Sequence, residues 1–435
     1  MVFCHKSKFF YFFISISFSL LHFFRKFAFV HTPTLPNNQL LSTLPNSYTP
    51  KLPIKMNDIA IYSLTSELHD EQAVSATTNE FLASLDIEYI WRGNDFSDYG
   101  THAADLIFVR TGGTEGLFRQ LWEQLLEQSN CPFLLLTSGK SNSLAASMEI
   151  LSFLRQQGLG GEIIHGSADY IRRRILVLEK VGQVRQRLRG CRLGVIGQPS
   201  DWLIASHADP EAVRIGLGIS LIDIPMDELL EEIKVKDACG IYEALKVLVV
   251  RHRLQGFTLR CFDLLTAVRN TGCWALARLN ADGYVAGCEG DVPAMLSMMI
   301  GRAVTRVSGF QANPARIDPE TGQVLFAHCT IPFDMVDRYE LDTHFESGFG
   351  IGIRGYMRPG PVTVLKVAGD LSRCFVAEGE LLRCGAMPDL CRTQLLIQLN
   401  DAEQARYFLT RPIGNHHIIF PGHHQAVLQE VLNKF

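Results

Sequence analysis

Short apolar runs alternate with longer amphipathic stretches in the part of the chain that follows Met56. Four β-branched or aromatic runs have the length of strands: IAIYSL, IEYIWR, DLIFVR and PFLLLT. Between them lie three stretches with helical character, at residues 70–84, 115–128 and 143–157. Strands that alternate with helices predict a parallel sheet covered by helices.

A second alternating set follows a helical stretch at residues 168–188. Its expected strands are LGVIG, SLIDI and FTLRCF, and its expected helices lie at residues 226–235 and 237–255. This repetition of the pattern predicts a second α/β domain, and we place the boundary between the two domains near residue 190.

The pattern changes after about residue 305, where short strands are separated by turns rich in Gly, Pro and Asp. This predicts an antiparallel module, either barrel-like or a sandwich, closed by a helix at residues 424–434. The expected fold class is therefore α/β, with two doubly wound parallel-sheet domains at residues 56–190 and 191–305. A C-terminal antiparallel β-rich, barrel-like domain follows at residues 306–435.

The first 55 residues differ from the rest, since they lack glycine and contain the phenylalanine-rich run FFYFFISISFSLLHFF. This run is short for a spanning helix, which needs about 20 apolar residues. Two interpretations stay open: translated upstream sequence before a true start at Met56, or an export or membrane-anchoring signal. We favour the first, and expect residues 1–55 to be a non-native or disordered leader.

Charge and cysteine usage narrow the class of protein. The chain has 435 residues, and its first 55 hold six of the 41 Lys and Arg and none of the 45 Asp and Glu, so 35 basic side chains face 45 acidic ones in the rest. This acidic balance argues against a nucleic-acid partner. The 11 cysteines are an odd number without a CxxC pair, which predicts a reducing, cytoplasmic location and no stable membrane partner.

Acidic and imidazole side chains that suit a hard divalent cation are spread over the second half of the chain: Asp263, Glu289, His328 and His416. Asp263 ends an apolar run, where an α/β sheet faces its ligand crevice, although it could also cap a helix. Glu289 lies in a glycine-flanked turn with Asp291, and Asp291 is well placed to cap the next helix. No GxxxxGK[ST], HExxH or GxSxG motif supports a nucleotide-driven enzyme, a zincin or a serine hydrolase.

Two histidine segments leave alternatives open. Alternation places His328 on the same strand face as Val324 and Phe326, so it is either a core residue or a ligand. His416 and His417 would point to opposite faces of a strand, so at most one of them enters a site.

Polar and aromatic residues elsewhere are expected to line a pocket. Trp202 could stack on a sugar ring or fill an interdomain gap, and His344 and Glu346 form either a pocket wall or a surface pair. We expect substrate contacts from Trp202, Asp291, His344, Glu346 and His417.

Four motifs resemble the fucose/arabinose isomerase group, and more closely its fucose isomerase-like proteins: CEGD at residues 288–291, AHC at 327–329, RPGPVT at 358–363, and GNH at 414–416 followed by GH at 422–423. The resemblance implies a three-domain homo-oligomer that interconverts an aldose and a ketose, using Mn²⁺ or a similar ion. A small sugar, either a pentose or a 6-deoxyhexose, would be the substrate.

The resemblance also assigns roles to residues. Asp263 and Glu289 would bind the metal and move protons, His416 would be a ligand, and His328 would match an additional ligand of the arabinose branch. Asp263 departs from the family, in which Glu is usual. A non-catalytic sugar-binding or regulatory protein, and a metal-dependent sugar lyase or epimerase, stay open as alternatives.

Overall fold

The computed structural model describes residues 58–129 and 131–433. The leader expected at residues 1–55 and the proposed start at Met56 lie outside these residues. Among the residues described, no helix has both the length and the apolar character needed to cross a membrane.

The first sheet has five parallel strands: β1 (Ile59–Leu64), β2 (Ile90–Gly93), β3 (Ala104–Val109), β4 (Phe133–Leu136) and β5 (Gly161–Ile164). Their order is β2-β1-β3-β4-β5. Four helices cover the sheet: α1 (Glu71–Ser84), α2 (Glu115–Gln128), α3 (Ser143–Gln156) and α4 (Ala168–Leu188).

Alternate residues of β1 point into two separate cores. Tyr62 packs in a cluster with residues of α2 and α3, whereas Ile61 packs in a cluster with residues of α1 and α4. Both faces of β1 are therefore buried, as in a doubly wound sheet, and this explains why its sequence is a continuous apolar run.

The second sheet has four parallel strands: β6 (Arg192–Ile196), β7 (Ser220–Ile224), β8 (Gly256–Leu259) and β9 (Val285–Cys288). Their order is β7-β6-β8-β9. Six helices accompany it: α5 (Pro210–Leu217), α6 (Met226–Glu232), α7 (Ala238–Arg251), α8 (Cys261–Val268), α9 (Cys273–Ala281) and α10 (Val292–Thr305).

One expected strand of this sheet is shorter than its apolar run. The run FTLRCF continues to Phe262, but β8 ends at Leu259, whose pairing partners Ile196 and Cys288 are the last residues of β6 and β9. Beyond these positions the neighbouring strands offer no further backbone partners, so Cys261 and Phe262 begin α8 instead.

The last part of the described chain is a closed antiparallel barrel. Its strands are β10 (Phe310–Asp318), β11 (Gln323–His328), β14 (Gly360–Val367), β15 (Cys374–Cys384), β16 (Thr393–Leu399) and β17 (His417–Pro421), in the order β10-β11-β16-β15-β14-β17. A two-stranded ribbon projects from it, β12 (Arg338–Asp342) with β13 (Gly352–Tyr356), and two helices follow later in the chain, α11 (Ala405–Thr410) and α12 (Gln425–Asn433). Closure removes the exposed sheet edges that an open sandwich would leave.

Helix α10 joins the second sheet to the barrel. Residues 292–301 of this helix are all buried, which is typical of a helix surrounded by core on every side. It shares one hydrophobic cluster with α4, α12 and the barrel strands β14 and β17. The turn between β9 and α10 is therefore held against the barrel.

The fold class predicted from the sequence is confirmed: parallel-sheet α/β domains with helices precede an antiparallel barrel. The domain boundaries near residues 190 and 305 stay predictions, since one hydrophobic cluster includes residues on both sides of each.

Replacing Gly301 tests the packing of α10 on the barrel. A methyl group at Gly301 would overlap the ring of the fully buried Phe420, and overpacking of this kind costs about 1–3 kcal/mol. We expect Gly301→Ala to lower the midpoint of thermal unfolding. Gly116→Ala is the control, because no atom lies within 4 Å of the added methyl group; it should leave the midpoint unchanged or slightly higher. Equal midpoints for both variants would contradict this packing.

Candidate functional site

Glu289 lies in the turn between β9 and α10, at the carboxyl edge of the second sheet. Its φ of 62° is in the left-handed region, which is rare for a residue with a side chain and common at functional sites. The Ser200 hydroxyl donates a hydrogen bond to the Glu289 carbonyl oxygen, and the Gly290 N–H donates to Leu259 across 2.9 Å. Gly290 must be glycine here, since its φ is also 62° and a Cβ would lie 2.9 Å from the Ser200 nitrogen.

His328 approaches Glu289 from the barrel. It is the last residue of β11 and is buried. Its Nδ1 lies 2.9 Å from the Thr330 hydroxyl oxygen, and its Nε2 lies 3.3 Å from Oε1 of Glu289. The imidazole is therefore held at one nitrogen and directed toward the carboxylate with the other.

His416 approaches the same carboxylate from the loop that leads into another barrel strand. It precedes β17, has no exposed surface, and places Nδ1 2.9 Å from Oδ2 of Asp291. Its Nε2 lies 3.6 Å from Oε1 of Glu289 and has no hydrogen-bond partner among the described residues. A buried imidazole nitrogen without a partner is a position that a ligand would satisfy.

Glu289, His328 and His416 form a group whose potential ligand atoms all lie within 4.8 Å of one another. Two imidazole nitrogens and one carboxylate oxygen form a donor set that first-row divalent cations accept, with coordination positions left for substrate. The contact between Asp291 and Nδ1 of His416 also matches the hydrogen bond that usually orients a metal-binding histidine. The residues present therefore fit a divalent metal ion.

Charges within the group favour an ionised carboxylate. Burial alone would raise the pKa of Glu289, but the nearby His416 and the hydrogen bond from His328 hold this pKa well below its usual range. Burial lowers the pKa of His416, and the charges of Glu289 and Asp291 outweigh it, raising the pKa to about 9. Without a cation, the imidazolium of His416 is thus a positively charged partner of Glu289.

The sequence suggested both a helix cap and a substrate contact for Asp291, and the helix cap is confirmed. It has no exposed surface, and its Oδ1 accepts the Ala294 N–H across 2.8 Å as the N-cap of α10. Its Oδ2 faces His416 and also lies 3.5 Å from Nζ of Lys366. Asp291 therefore caps a helix and orients His416.

His417 is also unavailable to a substrate in this structure. It has no exposed surface, and its ring contacts the aromatic residues Phe326, Phe375 and Phe408 of the barrel interior. Its Nε2 lies 3.1 Å from the Tyr407 hydroxyl oxygen. The expectation that adjacent histidines point to opposite faces is confirmed, since His416 faces Glu289 and its neighbour faces the core.

Asp263, which was expected to be a metal ligand, is not part of the group around Glu289. It lies in the first turn of α8, where its Oδ2 is 2.9 Å from Nε of Arg260. The premature end of β8 accounts for this position, because the side chain projects from a helix and meets the preceding arginine. Asp263 still lies near the same sheet edge as Glu289, since Leu259 pairs with Cys288.

The other three expected substrate contacts are partly or fully exposed. Trp202 follows β6, packs edge-on against Phe262 and lies over the guanidinium of Arg260. His344 also contacts the Phe262 ring edge-on, at 6.3 Å between centroids, whereas Glu346 is exposed in the same loop. Trp202 and His344 thus both contact the same aromatic side chain.

Three residues that support the group were not singled out from the sequence: Ser200, Thr330 and Lys366. The two hydroxyl residues give no signal distinguishing them from other Ser and Thr residues. Lys366 does give a signal in the sequence, because it is a charged residue within the apolar strand sequence GPVTVLKV. A lysine is rarely buried in such a strand unless it is paired.

No protein-family model matches this sequence. Curated proteins that it resembles include the sulfoquinovose isomerase of Priestia aryabhattai, which is 23% identical over 278 residues, covering 55% of this chain and 62% of that protein. The sulfoquinovose isomerase of Priestia megaterium (strain ATCC 12872 / QMB1551) gives the same values. That of Clostridium sp. (strain MSTE9) is 24% identical over 180 residues, covering 34% of this chain and 40% of that protein.

The match is partial, since the chain spans 62% of the length of the Priestia relatives. The names of these relatives agree with the sugar-isomerase class suggested by the sequence motifs. The narrower resemblance to the fucose/arabinose group stays a prediction.

Asp291→Asn tests whether Asp291 orients His416. Asparagine can still accept the Ala294 N–H, but its amide group would then donate to Nδ1 of His416 and leave the ring proton on Nε2. We expect Mn²⁺ affinity to fall about 10–100-fold, measured by calorimetric titration of the folded variant. Asp237→Asn is the control, because Asp237 caps α7 in the same way: its Oδ1 accepts the Gly240 N–H across 2.7 Å. Unchanged Mn²⁺ affinity in Asp291→Asn would be evidence against this role.

Proposed function

We propose that this chain is a metal-dependent aldose–ketose isomerase of the fucose/arabinose isomerase type. The convergence of Glu289, His328 and His416 supports the proposal, because this buried group at the carboxyl edge of a parallel sheet could hold a divalent cation. The sulfoquinovose isomerases that the chain resembles support the reaction class. A pentose, a 6-deoxyhexose or another hexose substituted at C6 is the proposed substrate class.

Isomerisation moves a carbonyl group between C1 and C2 of an open-chain sugar. A base removes a proton from C2 of the aldose, a proton is delivered to C1, and a further proton moves from the C2 oxygen to the C1 oxygen. Negative charge develops on the sugar oxygens between these steps. A divalent cation bound in the group would supply Lewis-acid stabilisation of that charge, typically worth several kcal/mol.

The protein residues have separate tasks in this proposal. Glu289, His328 and His416 would hold the cation, and the strained turn at Glu289 fixes the carboxylate before substrate arrives. Asp291 holds a proton of His416 on Nδ1, so that Nε2 is the nitrogen that would give up its proton and hold the cation. Holding reacting groups in place in this way accounts for much of the rate gained in such reactions.

We assign proton transfer to Asp263, a carboxylate outside the group around Glu289. It lies beside the same sheet edge as Glu289, and it is exposed where a substrate can reach it. Substrate binding would have to compete with Arg260 for the Asp263 carboxylate, since the two are ion-paired. Trp202 and His344, which both contact Phe262, would form part of the pocket wall.

Two further features extend the proposal. All ten cysteines that the structure describes are free thiols, which supports placing the enzyme in a reducing, cytoplasmic compartment. Assembly into a homo-oligomer is proposed from the family resemblance alone.

Glu289→Gln tests the metal site. The amide keeps the size of the side chain but loses the anionic oxygen, so we expect at least a 100-fold loss of both Mn²⁺ affinity and ketose formation. Ketose formation is measured with fucose, arabinose and sulfoquinovose as substrates and Mn²⁺ added. Glu378→Gln serves as the control. Glu378 lies outside the group of Glu289, His328 and His416, and its Oε2 is 3.4 Å from Nδ1 of His423. Near-normal turnover by Glu289→Gln would refute the assignment.

Asp263→Asn tests the division between metal binding and proton transfer. We expect kcat to fall about 100-fold or more, while Mn²⁺ affinity stays unchanged because Asp263 is not a ligand. Asp201→Asn is the matched control, because Asp201 pairs with the same Arg260 at 3.1 Å. An Asp263→Asn variant that loses Mn²⁺ instead would restore Asp263 to the ligand set, and one with normal kcat would remove it from the mechanism.

A further inference from the structure

Lys366 is a buried charged residue that the proposed reaction does not use. It lies in β14 with 1% of its surface exposed, between the core residues Leu365 and Val367. Among the described residues its amino group has no hydrogen-bond partner. Its one ion pair there is with Asp291.

The amino group of Lys366 lies close to Asp291, which contacts His416, and to Gly414, which precedes His416 in the chain. Oδ2 of Asp291, 3.5 Å from Nζ, is the same oxygen that lies 2.9 Å from Nδ1 of His416. A Cβ added at Gly414, two residues before His416, would lie 3.7 Å from Nζ, so this part of the backbone is also close to the amino group. The strand itself is tied to α10, because the Val367 N–H donates to the Ser297 hydroxyl across 2.9 Å.

Stability does not explain this residue. A buried ion pair loses so much solvation that replacing it with apolar residues of similar size is often neutral or stabilising. Within the described part of the chain, the amino group of Lys366 moreover makes no hydrogen bond that would offset the loss. A role in orientation is therefore the better explanation for a lysine at this place.

We propose that Lys366 is a positioning residue for the metal site. Its charge holds Oδ2 of Asp291 against His416, so that Nδ1 carries the ring proton and Nε2 is directed at the cation. This inference rests on the proposed metal site. In it, Lys366 holds Asp291 in place, and Asp291 in turn orients the proposed ligand His416.

Lys366→Met is the first test, because methionine has a similar length and no charge. We expect Mn²⁺ affinity to fall about 10-fold or more, as for other residues that orient metal ligands. Mn²⁺ binding is followed by the loss of the paramagnetic resonance signal of free Mn²⁺. Lys140→Met, which removes an exposed ion pair with Glu80, should bind Mn²⁺ like the unmodified protein. Unchanged affinity in Lys366→Met would overturn the proposal.

A double-mutant cycle separates positioning from a packing role. If Lys366 acts through Asp291, Lys366→Met should weaken Mn²⁺ binding less than twofold when Asp291→Asn is already present. A further 10-fold loss in that background would show that Lys366 acts independently of Asp291 and would overturn the proposal. This comparison also serves if Lys366→Met alone does not fold, since the Asp291→Asn background has no buried carboxylate to leave unpaired.

Mn²⁺ binding by the unmodified protein distinguishes a failure of the proposed metal site from a failure of the role proposed for Lys366. If it does not bind Mn²⁺, the proposed metal site fails and the role of Lys366 fails with it. If it binds Mn²⁺ and Lys366→Met binds equally well, only the role of Lys366 fails.

Discussion

The hydrogen bond between Asp291 and His416 connects two parts of the fold that are far apart in the chain. Asp291 begins α10 at the edge of the second sheet, and His416 precedes β17 of the barrel. Both side chains have no exposed surface, so the bond is shielded from competing water. It fixes the distance between the sheet edge and the barrel at the place where the candidate metal ligands meet.

The other features of the site follow from this contact. Glu289 is two residues before Asp291, so the turn that anchors the helix also places the carboxylate between two histidines. The left-handed backbone at Glu289 is maintained because Ser200 and Leu259 bind the turn on both sides. A site assembled in this way needs little rearrangement when a cation binds, which lowers the cost of forming the reactive geometry.

The sequence predicted the architecture well because periodicity reports burial. Helices α2 and α4 match their predicted ranges, and the antiparallel pattern after residue 305 closes into a barrel. Three of the four expected metal ligands converge, since each lies at one end of a strand: Glu289 follows β9, His328 ends β11 and His416 precedes β17. Asp263 differs because local apolar content could not reveal that β8 stops where its neighbours end. The contact of Asp291 with His416, the aromatic surroundings of His417 and the ion pair of Lys366 with Asp291 depend on contacts between distant segments, which no local pattern contains.

The most direct measurement is a crystal structure of the Mn²⁺-soaked protein with anomalous scattering recorded at the manganese edge. The proposed metal site predicts one strong anomalous peak about 2.0–2.3 Å from Nε2 of His328, Nε2 of His416 and a carboxylate oxygen of Glu289. A well-ordered site without such a peak, or a peak held by other residues, would contradict it.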